Sequence, residues 1–178
     1  MAWTDGVDRA TGYVVTAANW NSYNGTTGSL QHLHDNRELW VPVTASNQDG
    51  IFVAIQGIDT CPMSALLDAI NDYALISFRC PNDFTTLVEA KIVVGVVATQ
   101  AAANWDISSR YSGVGESLWA HSGSDTTTTY NVTANKIFAV NAAGLLASLA
   151  AGDYVGLKLL LGTAAHTLVV IGAFIRWK

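Results

Sequence analysis

Charge is scarce in this chain. Only 13% of its 178 residues are Asp, Glu, Lys or Arg, about half the share of an ordinary soluble domain, which points to surface buried against partners. Positive charge is scarcer still. Nine Lys and Arg stand against fourteen Asp and Glu, a net charge of -5, and no basic cluster runs along the sequence, which argues against nucleic-acid binding. Two cysteines, Cys61 and Cys80, lack metal-type spacing and read as free buried thiols. No uninterrupted apolar run is long enough to cross a membrane. The most apolar stretch, 154–177, is broken by Lys158, His166, Arg176 and three glycines, Gly156, Gly162 and Gly172, and reads as two strands. The first residues carry Asp5 and no apolar segment, so they lack the layout of a secretory signal.

Catalytic signatures are missing as well. There is no Gly-x-Ser-x-Gly, no His-Glu-x-x-His and no glycine-rich phosphate loop ending in Lys-Ser/Thr, which weakens hydrolase and nucleotide readings. His32, His34 and Asp35 alternate as metal ligands can, but no further ligand completes a three- or four-ligand set, so no metal and no cofactor is expected. Asp106, Glu116 and Asp125 lie on polar segments. A glycosidase needs two carboxyls about 5–9.5 Å apart across the sugar; solvated loop carboxylates are the simpler reading, and the chain is not read as an enzyme.

What is present is β pattern. From Glu38 onward, short runs rich in β-branched and aromatic residues alternate with Gly, Asn, Asp and Pro, as in an all-β sandwich or barrel. Eight strands are predicted over 39–44, 50–56, 73–79, 87–97, 104–111, 126–132, 154–161 and 167–177. Pro42 puts the first at an edge, because proline cannot donate to the ladder. Ala74, Ile76 and Phe78 share one face, so 73–79 is half buried; 87–97 is nearly continuous in apolar residues and reads as a central strand. Residues 63–70 carry helix formers and suggest a helical turn, 137–140 a further short strand. Leu145, Leu146 and Leu149 suggest a short helix over 142–151, stopped by Gly152. Residues 1–38 differ in being rich in Gly, Asn, Thr and Ser. They read as an arm with short helices starting at Thr16 and Ser29, too weak to stand alone.

Two segments carry a resemblance. Asp8-Arg-Ala-Thr-Gly-Tyr-Val-Val-Thr-Ala-Ala-Asn-Trp-Asn21, followed by Leu30 to Asn36, resembles the opening of tailed-bacteriophage fibre and appendage proteins. Pro81-Asn-Asp-Phe84 before Val88-Glu-Ala-Lys-Ile-Val-Val94, together with Leu149-Ala-Ala-Gly-Asp-Tyr-Val-Gly-Leu-Lys158, is similar to the trimeric jelly-roll domains of phage fibres and decoration proteins. The resemblance implies a jelly-roll β-sandwich over 39–178 with an extended, partly helical N-terminal arm over 1–38. It implies a homotrimer in the virion, assembled in the host cytoplasm and attached to a major capsid or tail protein through the arm. Trp3, Tyr13, Val14, Val15, Trp20, Leu30 and Leu33 are the expected docking residues.

The aromatic residues keep a second reading open. Trp105 and Trp119 flank a polar stretch that contains Tyr111. Exposed, these three would stack on sugar rings and make a lectin-like site for a host surface glycan; buried, they are core aromatics. Jelly rolls serve both roles.

Overall fold

Alternation of apolar and polar residues dictates which side of each strand is buried, and the computed structural model shows it over 73–79, 87–96, 103–112 and 154–161, while 168–173 is buried almost throughout. The structure describes residues 37–47, 64–162 and 167–178. The strands are β1 (Arg37–Pro42), β2 (Ala45–Ser46), β3 (Ala65–Leu67), β4 (Tyr73–Arg79), β5 (Leu87–Val96), β6 (Gln100–Ser112), β7 (His121–Asp125), β8 (Thr129–Val132), β9 (Lys136–Asn141), β10 (Tyr154–Leu161) and β11 (Leu168–Trp177). A 3-10 helix covers Ala143–Leu146.

Every pairing is antiparallel. One sheet runs β1-β11-β5-β9, with β3 continuing the edge of β11 beyond the end of β1. The other runs β2-β4-β10-β6-β7, with β8 continuing the edge of β6 beyond β7. Taken in chain order, β1, β4, β5, β6, β7, β9, β10 and β11 give two four-stranded sheets, and every link except β6 to β7 crosses between them. This is the strand order of a jelly roll. The fold is therefore an all-β jelly-roll sandwich, as expected.

The core lies between the sheets. Val41, Ile92, Val94, Val140, Leu168, Val170 and Ile175 enter from the first sheet, and Ala74, Ile76, Trp105, Ile107, Leu157, Leu159 and Leu161 from the second. Each fully buried aliphatic side chain stabilises the fold by about 1.5–3 kcal/mol relative to exposure. Leu145, Leu146 and Leu149 close one end of the sandwich.

Several expectations are corrected. Residues 65–67 form β3 on β11 rather than a helical turn, because the open edge of β11 supplies ladder partners that outweigh local helix propensity. The helix over 142–151 shrinks to one 3-10 turn. Its N-cap, Ala142, has no side-chain oxygen to hold the first amides, and Gly144 in the turn adds backbone entropy. The strand over 126–132 is shortened to β8, 129–132, because Asp125 accepts hydrogen bonds from the amides of Thr127 and Thr128 and turns the chain before it; β7, ahead of that turn, is not among the predicted strands. Strand β1 begins at Arg37, and Pro42 does sit on an edge strand. The strand expected over 50–56, the arm helices and Cys61 lie outside the described residues.

Candidate functional site

The two outer faces of the sandwich differ in chemistry. On the first sheet the outward residues are largely apolar: Trp40 beside Phe174, Val93 beside Ala139, Ile137 beside Gly95. Ile137 is 70% and Trp40 48% exposed. Charges begin at Lys91, in the row of Trp40 and Phe174, and continue toward the end at Arg37 and Trp177, where they are mutually paired; Lys136 stands exposed at the opposite end of β9. Arg176 meets Glu38 at 3.2 Å and Glu89 at 3.4 Å, Lys91 pairs with Glu89, and Arg37 pairs with Asp83. Lys91 and Arg176 hold the Glu89 carboxyl below its ordinary range.

The second sheet turns a polar face outward. The register stacks it in rows: Arg79, Tyr154 and Ser112; then Ser77, Gly156, Arg110 and Ser122; then Leu75, Lys158, Ser108 and Ser124; then Tyr73, Leu160 and Asp106. Tyr154 is 55% exposed. The Arg79 guanidinium lies 5.8 Å from the centre of its ring, and the Lys158 ammonium 4.5 Å from that of Tyr73, so both cations are held by the faces of aromatic rings. Strand spacings put the Arg79 and Arg110 Cα atoms about 12 Å apart and those of Arg110 and Lys158 about 8 Å apart.

Gly156 sits in the middle of this face. A Cβ placed there would have the Arg110 carbonyl oxygen, at 3.8 Å, as its nearest neighbour. Neither packing nor a left-handed backbone demands glycine, so its effect is to leave the floor between Tyr154, Ser77, Arg110 and Lys158 open. A strand glycine of this kind marks a place where another molecule can approach the backbone.

The sequence-level glycan candidates divide. Trp105 is buried, stacked on Tyr130 at 4.9 Å between ring centres. Tyr111 is buried as well, its ring on His121 and its hydroxyl accepting a hydrogen bond from the Ser148 amide at 3.1 Å. Neither offers a ring to a sugar, and both follow the core reading, because odd-numbered positions of β6 face inward. Trp119 is 47% exposed, with a left-handed backbone at φ 61°. It lies on the loop 113–120 that leaves β6 after Ser112, the register partner of Tyr154, and this loop also exposes Val114 and Leu118.

The three carboxylates do not converge. Asp106 points outward from β6, whereas Asp125 is the register partner of the inward Ile107. Asp125 is held below its usual range by the Thr128 hydroxyl and the amides of Thr127 and Thr128. Glu116 accepts from the Gly113 amide at 2.8 Å and lies 3.5 Å from His121, contacts that lower its carboxyl. Among the described residues no group of three or more His, Cys, Asp or Glu stands together, and no helix is long and apolar enough to cross a membrane. The docking candidates Trp3, Tyr13, Val14, Val15, Trp20, Leu30 and Leu33, like His32, His34 and Asp35, lie outside the described residues.

Sequence reasoning missed Tyr73, Arg79, Arg110, Tyr154, Gly156 and Lys158 as one surface. The period-2 pattern of each strand gives its outward residues, but only the strand order makes β4, β10 and β6 neighbours.

Neither a family model nor a curated protein matches this chain. Among solved structures it is similar to a low-affinity xylan-binding module, CBM86, from the gut symbiont Roseburia intestinalis. The identity is 14% and the TM-score 0.31, over 80% of this chain and 96% of that one. It is also similar to the carbohydrate-binding module CBM36 in complex with calcium and xylotriose, at 14% identity and a TM-score of 0.34, over 79% and 98% of the two chains. At these scores neither says anything about this protein's ligand, and the jelly-roll assignment rests on strand order.

Proposed function

We propose that this protein is a carbohydrate-binding jelly-roll domain whose ligand lies along the outer face of β4, β10 and β6. The observation that carries the reading is the open floor at Gly156, framed by an exposed Tyr154 and by side chains able to donate and accept hydrogen bonds. A sugar needs that combination of an aromatic plate and polar neighbours. The test is retardation of the full chain in native gels containing soluble polysaccharides, run beside Gly156→Val, which has room for its Cβ but fills the floor. Retardation of the wild type and loss in the variant, with an unchanged near-UV spectrum, is the expected result. Absence of retardation by every polysaccharide, or equal retardation of the variant, overturns the reading.

The other face favours a second reading, a subunit of a symmetric assembly such as the phage virion trimer that the sequence resembles. Its support is the apolar patch of Trp40, Phe174, Val93 and Ile137 on neighbouring rows, with Trp40 and Ile137 exposed and the other two half buried, the kind of surface that self-association buries. Light scattering should then give a trimer mass that falls on Ile137→Glu, and deletion of 1–21 should leave a folded oligomer without affinity for virions. A monomeric wild type overturns it.

A further inference from the structure

The cations of this chain are distributed unevenly between its two faces. On the first sheet, Arg37, Lys91 and Arg176 are each neutralised by a carboxylate; of the described cations on its strands, Lys136, at the exposed start of the edge strand β9, is the one that is not. On the outer face of the second, Arg79, Arg110 and Lys158 have no carboxylate partner among the described residues, and the rows of β4, β10, β6 and β7 hold one acid, Asp106. Arg79 and Arg110 are exposed, and Lys158 is half buried. A protein with net charge -5 thus gathers three unpaired positive groups around the one open floor it has on this face.

Leaving cations without counter-charges gives no stability, since isolated surface charges add little to folding. It does give the face an attraction for anions, concentrated where Gly156 lets a chain lie close to the sheet. Arginine presents a planar fork that matches a carboxylate with two parallel hydrogen bonds, and Lys158 adds a point charge. Arg79 and Lys158 are kept over rings rather than over acids, so an incoming anion does not have to break an ion pair.

Resting on the carbohydrate-binding reading, we infer that the ligand is an acidic polysaccharide, one whose sugars carry carboxylate or comparable anionic groups. Arg110 and Lys158 contact those groups beside the Gly156 floor, and Arg79 with Tyr154 receives the next part of the chain. Asp106, at the far row beside Leu160, repels the anionic groups and limits the site to the Arg79–Lys158 end.

The test compares polygalacturonate with the same polymer fully methyl-esterified, by calorimetry on the full chain, with polyglutamate as a non-sugar polyanion. Binding of polygalacturonate that weakens with rising salt, with the ester form bound at least about tenfold more weakly, is the expected result. Arg110→Ala and Lys158→Ala should each lower affinity for the acid form about tenfold or more, and leave the ester form unchanged. Equal binding of the two polymers overturns the acidic-ligand inference while supporting carbohydrate binding. Binding of neither overturns both. Polyglutamate bound as tightly as polygalacturonate overturns the sugar requirement and assigns the face to polyanions in general.

Discussion

The Ser109 hydroxyl donates a 2.6 Å hydrogen bond to the carbonyl of Leu145, 36 residues further along the chain. The serine is buried in the otherwise apolar inner face of β6, and its register partner Gly123 lies directly under the Leu145 backbone, where a Cβ would fall 2.8 Å from Cα. Hydroxyl and missing side chain together seat the 3-10 turn across the end of the sandwich. Ser109→Ala leaves a buried carbonyl without its donor and should cost about 1–3 kcal/mol. Urea unfolding with an unchanged m-value checks it; a loss below about 0.5 kcal/mol would show that the turn is seated by its leucines alone.

Two strand glycines invite a paired comparison. At Gly172 on β11 a Cβ would fall 2.8 Å from the Trp40 ring and 3.1 Å from the Pro42 Cα, and closer still to the Val41 carbonyl oxygen. Gly172→Ala should therefore destabilise by about 1–3 kcal/mol through overpacking. Gly156→Ala, with its nearest neighbour at 3.8 Å, should stay within about 0.5 kcal/mol of the parent. Thermal melts of both variants decide; equal losses would mean that Gly156 also serves packing.

Cys80 gives a pH dependence of defined sign. Burial, and next the charge of Asp153, push its thiol from 9.0 up to about 11, against the opposing pull of the Gly152 amide and Arg79. The folded chain thus keeps a proton that the unfolded chain releases, so this group's contribution is complete below pH 9 and is lost as the pH climbs toward 11. In a Cys61→Ser background, native protein at pH 8 should resist a thiol reagent that reacts fully in urea, and stability should decline between pH 9 and 11 less steeply in Cys80→Ala. Rapid native labelling would contradict the burial.

Strands whose own residues alternate are legible in the sequence alone. The ranges 73–79 and 154–161 coincide with β4 and β10, and 87–97 with β5 to within one residue. Strand β7, His-Ser-Gly-Ser-Asp, escapes because nothing in it favours β structure locally; it is a strand because β6 offers it a ladder. The site is hidden for a related reason. Arg79, Arg110 and Lys158 are 31 and 48 residues apart along the chain, and only the crossing of links between sheets brings their strands together. Tryptophan draws attention to the wrong side of β6: Trp105 is the larger ring, but its odd-numbered position turns it into the core.

The first and last strands of the sandwich are register partners, Arg37 opposite Trp177, with a mechanical consequence. Tension applied across Arg37 and Lys178 would pull apart the adjacent ends of two antiparallel strands, so the β1–β11 ladder would open like a zipper, one hydrogen-bonded pair at a time. Shear, in which all the pairs bear load together, is not available to it. A domain loaded through these two ends is built to peel at low force, beginning beside the charged cluster of Glu38, Arg176 and Glu89, while the β4-β10-β6 face that we assign to the ligand lies on the other sheet.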